Sequence, residues 1–330
     1  MPPETPLLAI SPGDPHGIGP EVTVRAVLAR PHSRYLVTGA ASVMEEAARR
    51  FAPGLVIRRI GSAAEATEAG ILHVLAPEVP GAVDIPFGDV DPAYAGRRFG
   101  REIHGWIVKA ADLALAKEAQ AVVTAPIAKT AFKAAGIAFP GHTELLAERA
   151  KTSDFAMMLS CSKLRVILAT IHLPLRKLFS ALTPAELERV IRLGCRELPR
   201  WIRTERRLKL AVAGLNPHAG EDGMLGSEEV EWIGPLVSRL AAEGLPVEGP
   251  LSPDTVFHRA VTGEFDAVVA LYHDQGLIPV KVLGFDEGVN STIGLPFIRT
   301  SPDHGTAFGI AWQGRANPAS MIAAIDMAVP

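Results

Sequence analysis

Apolar and polar positions along the first part of the chain follow two alternating patterns. Short, continuously apolar runs are separated by longer segments in which apolar residues recur every three or four positions. The runs predict strands and the segments between them predict amphipathic helices, and apolar strands that alternate with helices favour a mostly parallel sheet covered on both faces. The predicted strands are PLLAI, RYLVTG, AGILHVL and AVVTAP, and the clearest helices are PEVTVRAVLAR, ASVMEEAARRFA and RRFGREIHGWIVKAADLALAKEA.

The second part of the chain repeats this alternation. One predicted helix begins at TPAELERV, where Thr183 is expected to cap it and Pro184 to occupy its first position. The pattern therefore predicts an α/β fold throughout, without repeats or low-complexity segments. The further predicted strands are FAMMLS, LRVILATIH, LKLAVAGLNPHAG and FDAVVALYHDQG.

Three histidines follow three of these strands. His172, His218 and His273 each lie at or just beyond the C-terminal end of an apolar run. The C-terminal ends of parallel strands share one edge of a sheet, and ligands bind open α/β folds along that edge. Three neighbouring imidazoles would suit a divalent metal that keeps coordination positions open for a substrate. The pattern alone leaves a second interpretation open, in which each histidine is an ordinary loop residue.

Two acidic residues accompany these histidines. Asp254 and Asp274 are candidates to orient the imidazoles through hydrogen bonds or to join the coordination. The alternative for each is a turn cap or a surface acid.

Groups suited to anions occur in two segments. His142 and Thr143 lie at the predicted start of a helix in GHTELLAERA, where backbone N–H groups favour an anion, although a plain N-cap is the alternative. Lys281, Asn290 and Arg299 follow the third histidine in a Gly-rich stretch that we expect to be irregular. Two cations and an amide suit a carboxylate or a phosphate, and solvated loop charges are the alternative.

The segment SPGDPHGIGPEV, residues 11–22, is a Gly/Pro-rich loop between a strand and a helix. Gly17 and Gly19 match a G-x-G-x-x-G motif, but Val22 stands where the last glycine should be. An ordinary Rossmann dinucleotide site is therefore poorly supported. The loop either brings backbone close to a ligand or is a tight turn between the two elements.

Composition narrows the class of protein. With 330 residues, of which 48% are hydrophobic, we expect two domains or one large two-lobed unit. The net charge of −3 and the absence of a Lys/Arg block argue against nucleic acid as a partner, and no apolar run is long enough for a membrane span. The N-terminal segment lacks the features of a signal peptide. Two cysteines, Cys161 and Cys195, exclude a disulfide framework and fit the cytoplasm, where we expect the protein.

The chain resembles the 4-hydroxythreonine-4-phosphate dehydrogenase family of pyridoxine biosynthesis along nearly its whole length. The resemblance implies a homodimer with the active site at the subunit interface, and oxidation of 4-(phosphooxy)-L-threonine at its 3-hydroxyl by NAD or NADP. The product would be a β-keto acid that decarboxylates to 3-amino-2-oxopropyl phosphate. The segments that carry the resemblance are SPGDPHGIGPE, GHTELLAER, ATIHLPLR, GLNPHAGEDGMLGSEE, YHDQGLIPVK, GVNSTIGLPFIRTSPDHGTAF and GRANPASMIAAI.

The same resemblance assigns expected roles to individual residues. One divalent metal per subunit, which is zinc, magnesium, cobalt, nickel or manganese, would be held by His172, His218 and His273. Asp254 and Asp274 match acids near the metal, and the general base is left open between them and hydroxide. The substrate contacts would come from His142, Thr143, Lys281, Asn290 and Arg299.

A second similarity concerns the segment DHGTAFGIAWQGRANP. It is similar to the adenine-side loop of isocitrate and isopropylmalate dehydrogenases, whose fold is two-lobed α/β/α. The similarity implies a dinucleotide near His304, Gly305, Thr306 and Asn317. It also leads us to expect a first lobe of residues 1–135 and 300–330, a second lobe of residues 136–299 that carries the metal site, and a cleft between them.

The first loop departs from the family pattern. The family usually has glutamate and alanine where this chain has Asp14 and His16. Related enzymes act on threonate or erythronate 4-phosphate or on aromatic cis-diols, so a sister dehydrogenase for one of these substrates is the alternative function. The alternatives from other classes are a metal-dependent lyase or hydrolase without nicotinamide and a non-catalytic anion-binding module.

Overall fold

The computed structural model describes residues 5–79 and 97–329 of the chain. No helix within these residues is long and apolar enough to cross a lipid bilayer. The strands, numbered along the chain, are β1 (Leu7–Ser11), β2 (Arg34–Thr38), β3 (Val56–Arg59), β4 (Ile71–Leu75), β5 (Ala121–Thr124), β6 (Ala156–Ser160), β7 (Arg165–Leu168), β8 (Leu210–Ala213), β9 (Val247–Leu251), β10 (Ala267–Ala270), β11 (Val289–Ile293) and β12 (Ile298–Pro302).

Helices connect most of these strands. They are α1 (Gly19–Ala29), α2 (Ala41–Phe51), α3 (Gly100–Leu115), α4 (Lys129–Ala134), α5 (His142–Arg149), α6 (Leu178–Ala181), α7 (Pro184–Glu197), α8 (Gly234–Ala242), α9 (Val256–Val261), α10 (His273–Gly284) and α11 (Ala319–Ala328). The predicted cap of α7 is confirmed, because the Thr183 hydroxyl accepts a hydrogen bond of 3.2 Å from the Glu186 backbone N–H.

The chain divides into two compact units, Met1–Ser153 with Leu295–Pro330, and Asp154–Gly294. The division differs from the one expected at residues 135/136 and 299/300. Helix α5 falls in the first unit because it packs on α3. Arg149 on α5 forms a salt bridge with Asp112 on α3, with 2.6 Å between Nε and Oδ1. The elements that carry His172, His218 and His273 all belong to the second unit.

The strands of the first unit run in the order β3-β4-β2-β1-β5-β12, and every neighbouring pair is parallel. Those of the second unit run in the order β11-β6-β7-β10-β8-β9, antiparallel as far as β7 and parallel from β7 to β9. The predicted α/β class with mostly parallel strands is confirmed.

Both faces of the second unit's sheet are covered. Along β10, Ala267 and Val269 pack with apolar side chains of α7 and α8, whereas Val268 and Ala270 pack with those of α9 and α10. Burial on both faces explains why these strands are continuously apolar rather than alternating.

Two parts of the structure differ from the sequence expectation. Strand β3 has the sequence VIRR and mostly exposed side chains, so it carries no apolar signal by which it could be predicted. The stretch from Lys281 to Arg299, which we expected to be irregular, is instead mostly regular, since it contains the end of α10 and the strands β11 and β12. That expectation was wrong because it rested on the glycines of the stretch and passed over the apolar positions between them.

The first turn of α10 approaches the sheet very closely at Gly276. A Cβ atom added there would lie 2.6 Å from the Val166 side chain, 2.9 Å from that of Ala270 and 2.9 Å from that of Leu168. The absence of a side chain is therefore what allows His273 to lie directly over the ends of β7 and β10.

We expect Gly276→Ala to lower the free energy of unfolding by about 1–3 kcal/mol, because the new methyl group forces α10 away from the two strands. Chemical denaturation monitored by circular dichroism measures the change. Gly309→Ala is the matched control, since a Cβ atom there meets nothing within 4 Å. Equal stability of both variants and the parent would contradict this account of the contact.

Candidate active site

Two of the three candidate metal ligands come together at adjacent parallel strands. His172 follows β7 and His273 opens α10 after β10, and these strands are neighbours in register. The two imidazole ring centroids are 5.3 Å apart, with the ring planes inclined by 47°. The strand order thus brings two residues about a hundred positions apart into contact.

The His273 ring is oriented by the carboxylate next to it. His273 Nδ1 and Asp274 Oδ1 are 2.7 Å apart. Because an ionised carboxylate only accepts hydrogen bonds, Nδ1 carries the proton and Nε2 keeps its lone pair. An imidazole held in this tautomer is suited to bind a metal through Nε2.

His218 lies in a turn after β8, the neighbour of β10 on its other side. Its backbone is left-handed, with φ of 50°, and its side chain is 63% exposed. His218 Nδ1 is 4.0 Å from Asp254 Oδ1, and the Asp254 carboxylate accepts a hydrogen bond of 2.6 Å from the Ser252 hydroxyl. The hydrogen bond from Ser252 is the largest of the effects that lower the pKa of Asp254, so the carboxylate is ionised near pH 7.

The candidate ligands form two pairs, His172 with His273 and His218 with Asp254. Across residues 5–79 and 97–329, no group of three histidine, cysteine, aspartate or glutamate side chains comes together in a way that suits a metal ion. The chemistry of the donors fits a divalent metal, but one chain by itself gathers only pairs of them in this structure.

A pocket of about 270 Å³ opens beside the imidazole pair, lined by residues 171–175 and 272–274. Its wall combines aliphatic side chains with His172, His273 and Asp274. A small pocket with a few polar groups on one side is typical of a site for a compact polar molecule.

His142 and Arg299, two of the candidate substrate contacts, come together in the first unit. Arg299 on β12 is buried, and its guanidinium donates to the Thr124 hydroxyl at the end of β5 at 2.6 Å and 3.2 Å. Burial lowers the pKa of Arg299 to about 10, against the opposing charge of Glu144. Burial, reinforced by the charge of Arg299, also holds the pKa of His142 well below its usual value. Both shifts mark a place where a bound anion would be stabilised.

His142 is the first residue of α5, as the sequence predicted, and Thr143 follows it. His142 Nε2 is buried and has no hydrogen-bond partner among the described residues. An unsatisfied buried nitrogen next to a buried guanidinium is consistent with a ligand that supplies the missing contact.

Lys281 and Asn290 lie in the second unit. Lys281 is on the last turn of α10, with its ammonium 5.8 Å from the centre of the Phe285 ring. Asn290 is on β11 opposite Leu159, and its Oδ1 is buried without a partner in the described part of the chain. The five candidate substrate residues are therefore divided between the two units.

The candidate cofactor residues follow β12 in the first unit. His304 Nδ1 is 3.1 Å from the Gly305 carbonyl, and its buried Nε2 finds no partner within the described residues. Burial lowers the pKa of His304, so the ring is neutral near pH 7.

The other candidate cofactor residues lie in the same segment. A side chain at Gly305 would meet only open space, and the Thr306 carbonyl accepts a hydrogen bond of 2.9 Å from the Ile18 backbone N–H. Asn317 Oδ1 accepts one of 3.0 Å from the Ala319 N–H, at the start of α11.

The loop of residues 12–20 contains a buried acid at Asp14, one of the two positions at which the loop departs from the family pattern. Asp14 is completely buried, its Oδ1 accepts a hydrogen bond of 2.9 Å from the His16 backbone N–H, and its Oδ2 has no described partner. Burial raises the pKa of Asp14 to about 6. Buried carboxyl groups of this kind cluster at functional sites. The sequence marks Asp14 as a departure from the family pattern, and its burial is seen only in the structure.

The chain was compared with known proteins. The family model of the pyridoxal phosphate biosynthetic protein PdxA matches residues 31–328. A 4-hydroxythreonine-4-phosphate dehydrogenase of Desulforapulum autotrophicum is 45% identical over 332 residues, which cover 98% of this chain and 94% of that protein. A D-threonate 4-phosphate dehydrogenase of Salmonella typhimurium is 43% identical over 333 residues, which cover 99% of each chain.

A solved structure agrees with the fold described above. The crystal structure of 4-hydroxythreonine-4-phosphate dehydrogenase from Klebsiella pneumoniae is 41% identical and matches with a TM-score of 0.84, covering 98% of each chain. The likeness extends over both compact units and not over one of them alone.

We expect Asp14→Asn to stabilise the protein at pH 8 and to leave its stability almost unchanged at pH 4. Between the ordinary pKa of 3.8 and the raised value of about 6, the folded chain binds more protons than the unfolded chain, so Asp14 lowers stability as pH rises. A gap of about two units corresponds to at most about 3 kcal/mol. Thermal unfolding at both pH values checks this, with the exposed Asp286→Asn as control. Parallel pH profiles for Asp14→Asn and the parent would contradict it.

Proposed function

The chain belongs to the PdxA family of pyridoxal phosphate biosynthetic proteins, and on that basis we propose that it oxidises 4-(phosphooxy)-L-threonine at the 3-hydroxyl. The oxidation product is a β-keto acid, which loses carbon dioxide to give 3-amino-2-oxopropyl phosphate. The observation that carries the proposal is the His172–His273 pair at the ends of two adjacent parallel strands, beside a small pocket that combines aliphatic side chains with these imidazoles and Asp274.

Anion recognition supports a phosphorylated acid as substrate. Such a molecule carries a phosphate and a carboxylate, and the chain supplies the buried Arg299 and His142 in one unit and Lys281 and Asn290 in the other. Guanidinium and ammonium groups are the usual partners of phosphate and carboxylate oxygens. Contacts of this kind with the phosphate and the carboxylate would fix the position of the 3-hydroxyl for the reaction.

We propose that His172, His218 and His273 hold one divalent metal, with Asp274 orienting His273. The tautomer that Asp274 imposes and the pairing of the imidazoles support this assignment. A second copy of the chain would supply the ligands that one chain does not bring together. When bound, a divalent metal lowers the pKa of a substrate hydroxyl.

The chain belongs to a family of dehydrogenases, which implies a nicotinamide cofactor. When bound, such a cofactor would supply the acceptor for the hydride of the carbon that bears the hydroxyl. We propose that it is NAD or NADP bound near His304, Gly305, Thr306 and Asn317, where the buried Nε2 of His304 offers an unsatisfied polar contact. Asp254, held ionised beside His218, is the candidate to take the hydroxyl proton.

The second candidate function is oxidation of D-threonate 4-phosphate or D-erythronate 4-phosphate. It is favoured by the relative named for D-threonate 4-phosphate, which is about as similar to this chain as those named for 4-hydroxythreonine 4-phosphate. The two substrates differ in having a hydroxyl or an ammonium group beside the carboxylate. The residue that contacts this hydroxyl or ammonium group therefore determines which substrate is preferred.

A kinetic panel tests the proposal. We expect the purified enzyme to reduce NAD or NADP with 4-(phosphooxy)-L-threonine at a kcat/KM at least tenfold above that for the threonate and erythronate phosphates. Activity should be lost after chelation and return with added divalent metal. A preference for threonate 4-phosphate would assign the chain to the sister enzyme, and turnover without any change in NADH absorbance would indicate a lyase or hydrolase.

We also propose that the chain forms a homodimer through α10. Ile278 and Val282 are spaced by four residues on α10 and form an exposed apolar stripe, and Phe285 follows directly after the helix; their side chains are 61%, 80% and 76% exposed. An apolar stripe of this size is usually covered by another protein surface. The helix begins at His273, so a partner on this stripe would lie next to the candidate metal ligands.

We expect Val282→Glu to convert the dimer to a monomer, because a carboxylate would be buried without a partner in the interface. Sedimentation velocity measures the mass in solution. The control is Val56→Glu, which places the same charge on an exposed strand residue of the other unit and should leave the dimer intact. A dimer of unchanged stability in Val282→Glu would show that the interface lies elsewhere.

A further inference from the structure

His218 lies in a turn that polypeptide chains rarely adopt. Five consecutive residues, His218 to Asp222, have φ angles of 50°, 54°, 82°, 44° and 54°. Only one of the five is a glycine, and the left-handed region is unfavourable for residues that carry a Cβ atom. The turn therefore needs contacts from the surrounding structure to hold it in this conformation.

The side chain of Glu229 supplies such contacts. Its carboxylate accepts hydrogen bonds from the backbone N–H groups of Leu215 and Asn216, both at 2.7 Å, and from the Asn216 side-chain amide at 2.8 Å. Glu229 is only 4% exposed. It approaches from the π-helical turn Glu229–Ile233, which precedes α8.

The carboxylate also fills the space enclosed by the turn. A Cβ atom at Gly214 would lie 3.3 Å from Glu229 Oε1, and one at Gly220 would lie 2.9 Å from Glu229 Oε2. A side chain at Gly220 would clash with the carboxylate and with the Gly226 carbonyl, at 2.8 Å, whereas one at Gly214 would crowd the carboxylate and clash with Ala219, at 2.9 Å. Glycines therefore border Glu229 on both sides of His218.

The other side of the same backbone segment is held by Gln275. Its side-chain amide donates to the Gly214 carbonyl at 2.7 Å, and its carbonyl oxygen accepts from the Leu271 N–H at 2.7 Å. Gln275 lies two residues after His273 on α10. The backbone that leads to His218 is thus connected to the helix that presents His273.

We propose that Glu229 is a positioning residue for His218: its buried carboxylate holds the left-handed turn in the one conformation that presents the imidazole to a divalent metal. The inference rests on the proposed function only in taking His218 as a metal ligand. The hydrogen bonds by which Glu229 orders the turn do not require a metal, so they can be tested in its absence.

The chemistry of the contacts requires a carboxylate. All three partners of Glu229 are N–H donors, so both of its oxygens must accept. A glutamine would direct its NH₂ group at the Asn216 amide, where two donors face each other. Asn216 cannot turn its amide over without losing its second hydrogen bond, to Glu228 at 2.8 Å.

The test uses Glu229→Gln and Glu229→Ala in the full chain, with His218→Ala as reference and the exposed neighbour Glu231→Gln as control. Co²⁺ is titrated into metal-stripped protein, and its dissociation constant is measured by calorimetry. We expect His218→Ala to abolish the site and Glu229→Gln to weaken Co²⁺ binding about 10–100-fold, as is typical for groups that orient a metal ligand. Glu231→Gln should bind as the parent does, and kcat should fall in Glu229→Gln with little change in KM.

Order in the turn is measured without metal, by the rate at which a glutamate-specific protease cleaves after Glu221. We expect faster cleavage in both Glu229 variants, and the parent rate in Glu231→Gln. If Glu229→Ala does not fold, the milder Glu229→Gln decides both measurements.

The outcomes separate the two claims. Loss of Co²⁺ binding in His218→Ala together with parental Co²⁺ affinity in Glu229→Gln would overturn the positioning role and leave the proposed function standing. Parental Co²⁺ affinity in His218→Ala would remove His218 from the proposed metal site. A parental cleavage rate in both Glu229 variants would overturn the hold on the turn, whatever the metal binds.

Discussion

The buried side-chain amide of Gln275 connects the ends of two parallel strands, and the arrangement of the candidate metal ligands depends on it. It spans from the Gly214 carbonyl after β8 to the Leu271 N–H after β10. A buried amide is stable only with its donors and acceptors paired, so this link holds both strand ends in place. The link also explains the polar residues that follow the apolar strand β10. His273 and Asp274 line the pocket, and Gln275 forms hydrogen bonds with backbone groups that would otherwise be unpaired.

In the first unit the corresponding constraint is the burial of polar and charged groups, two of whose atoms, His142 Nε2 and Asp14 Oδ2, have no hydrogen-bond partner among the described residues. Arg299, His142 and Asp14 all have pKa values shifted mainly by burial. Loss of hydration makes the ionised form of each group less stable. A bound ligand of opposite charge would replace part of the electrostatic stabilisation that water provides. Two consequences follow: an anion bound beside Arg299 would stabilise its buried positive charge, and the neutral His142 can act as a hydrogen-bond donor or acceptor near pH 7.

Much of the fold was predictable because parallel strands that are buried on both faces must be apolar throughout. That rule located most strands, and it placed His172 and His273 at one edge before any distance was known. It failed at β3, whose exposed side chains carry no such signal, and at residues 281–299, where glycines at the ends of regular elements and between them suggested an irregular backbone. The boundary between the units also differs from the expected one. The packing of α5 on α3, which assigns α5 to the first unit, cannot be recognised from composition.

The sequence by itself determined the α/β class, the family and the residues able to bind a metal or an anion, because these depend on periodicity and on the kinds of side chain present. Only the tertiary structure decided which of them meet. It paired His172 with His273, set His218 in a left-handed turn around the Glu229 carboxylate and buried Asp14. These outcomes depend on contacts between residues distant along the chain, and the free energy of such contacts is set by burial and hydrogen bonding that no local pattern records.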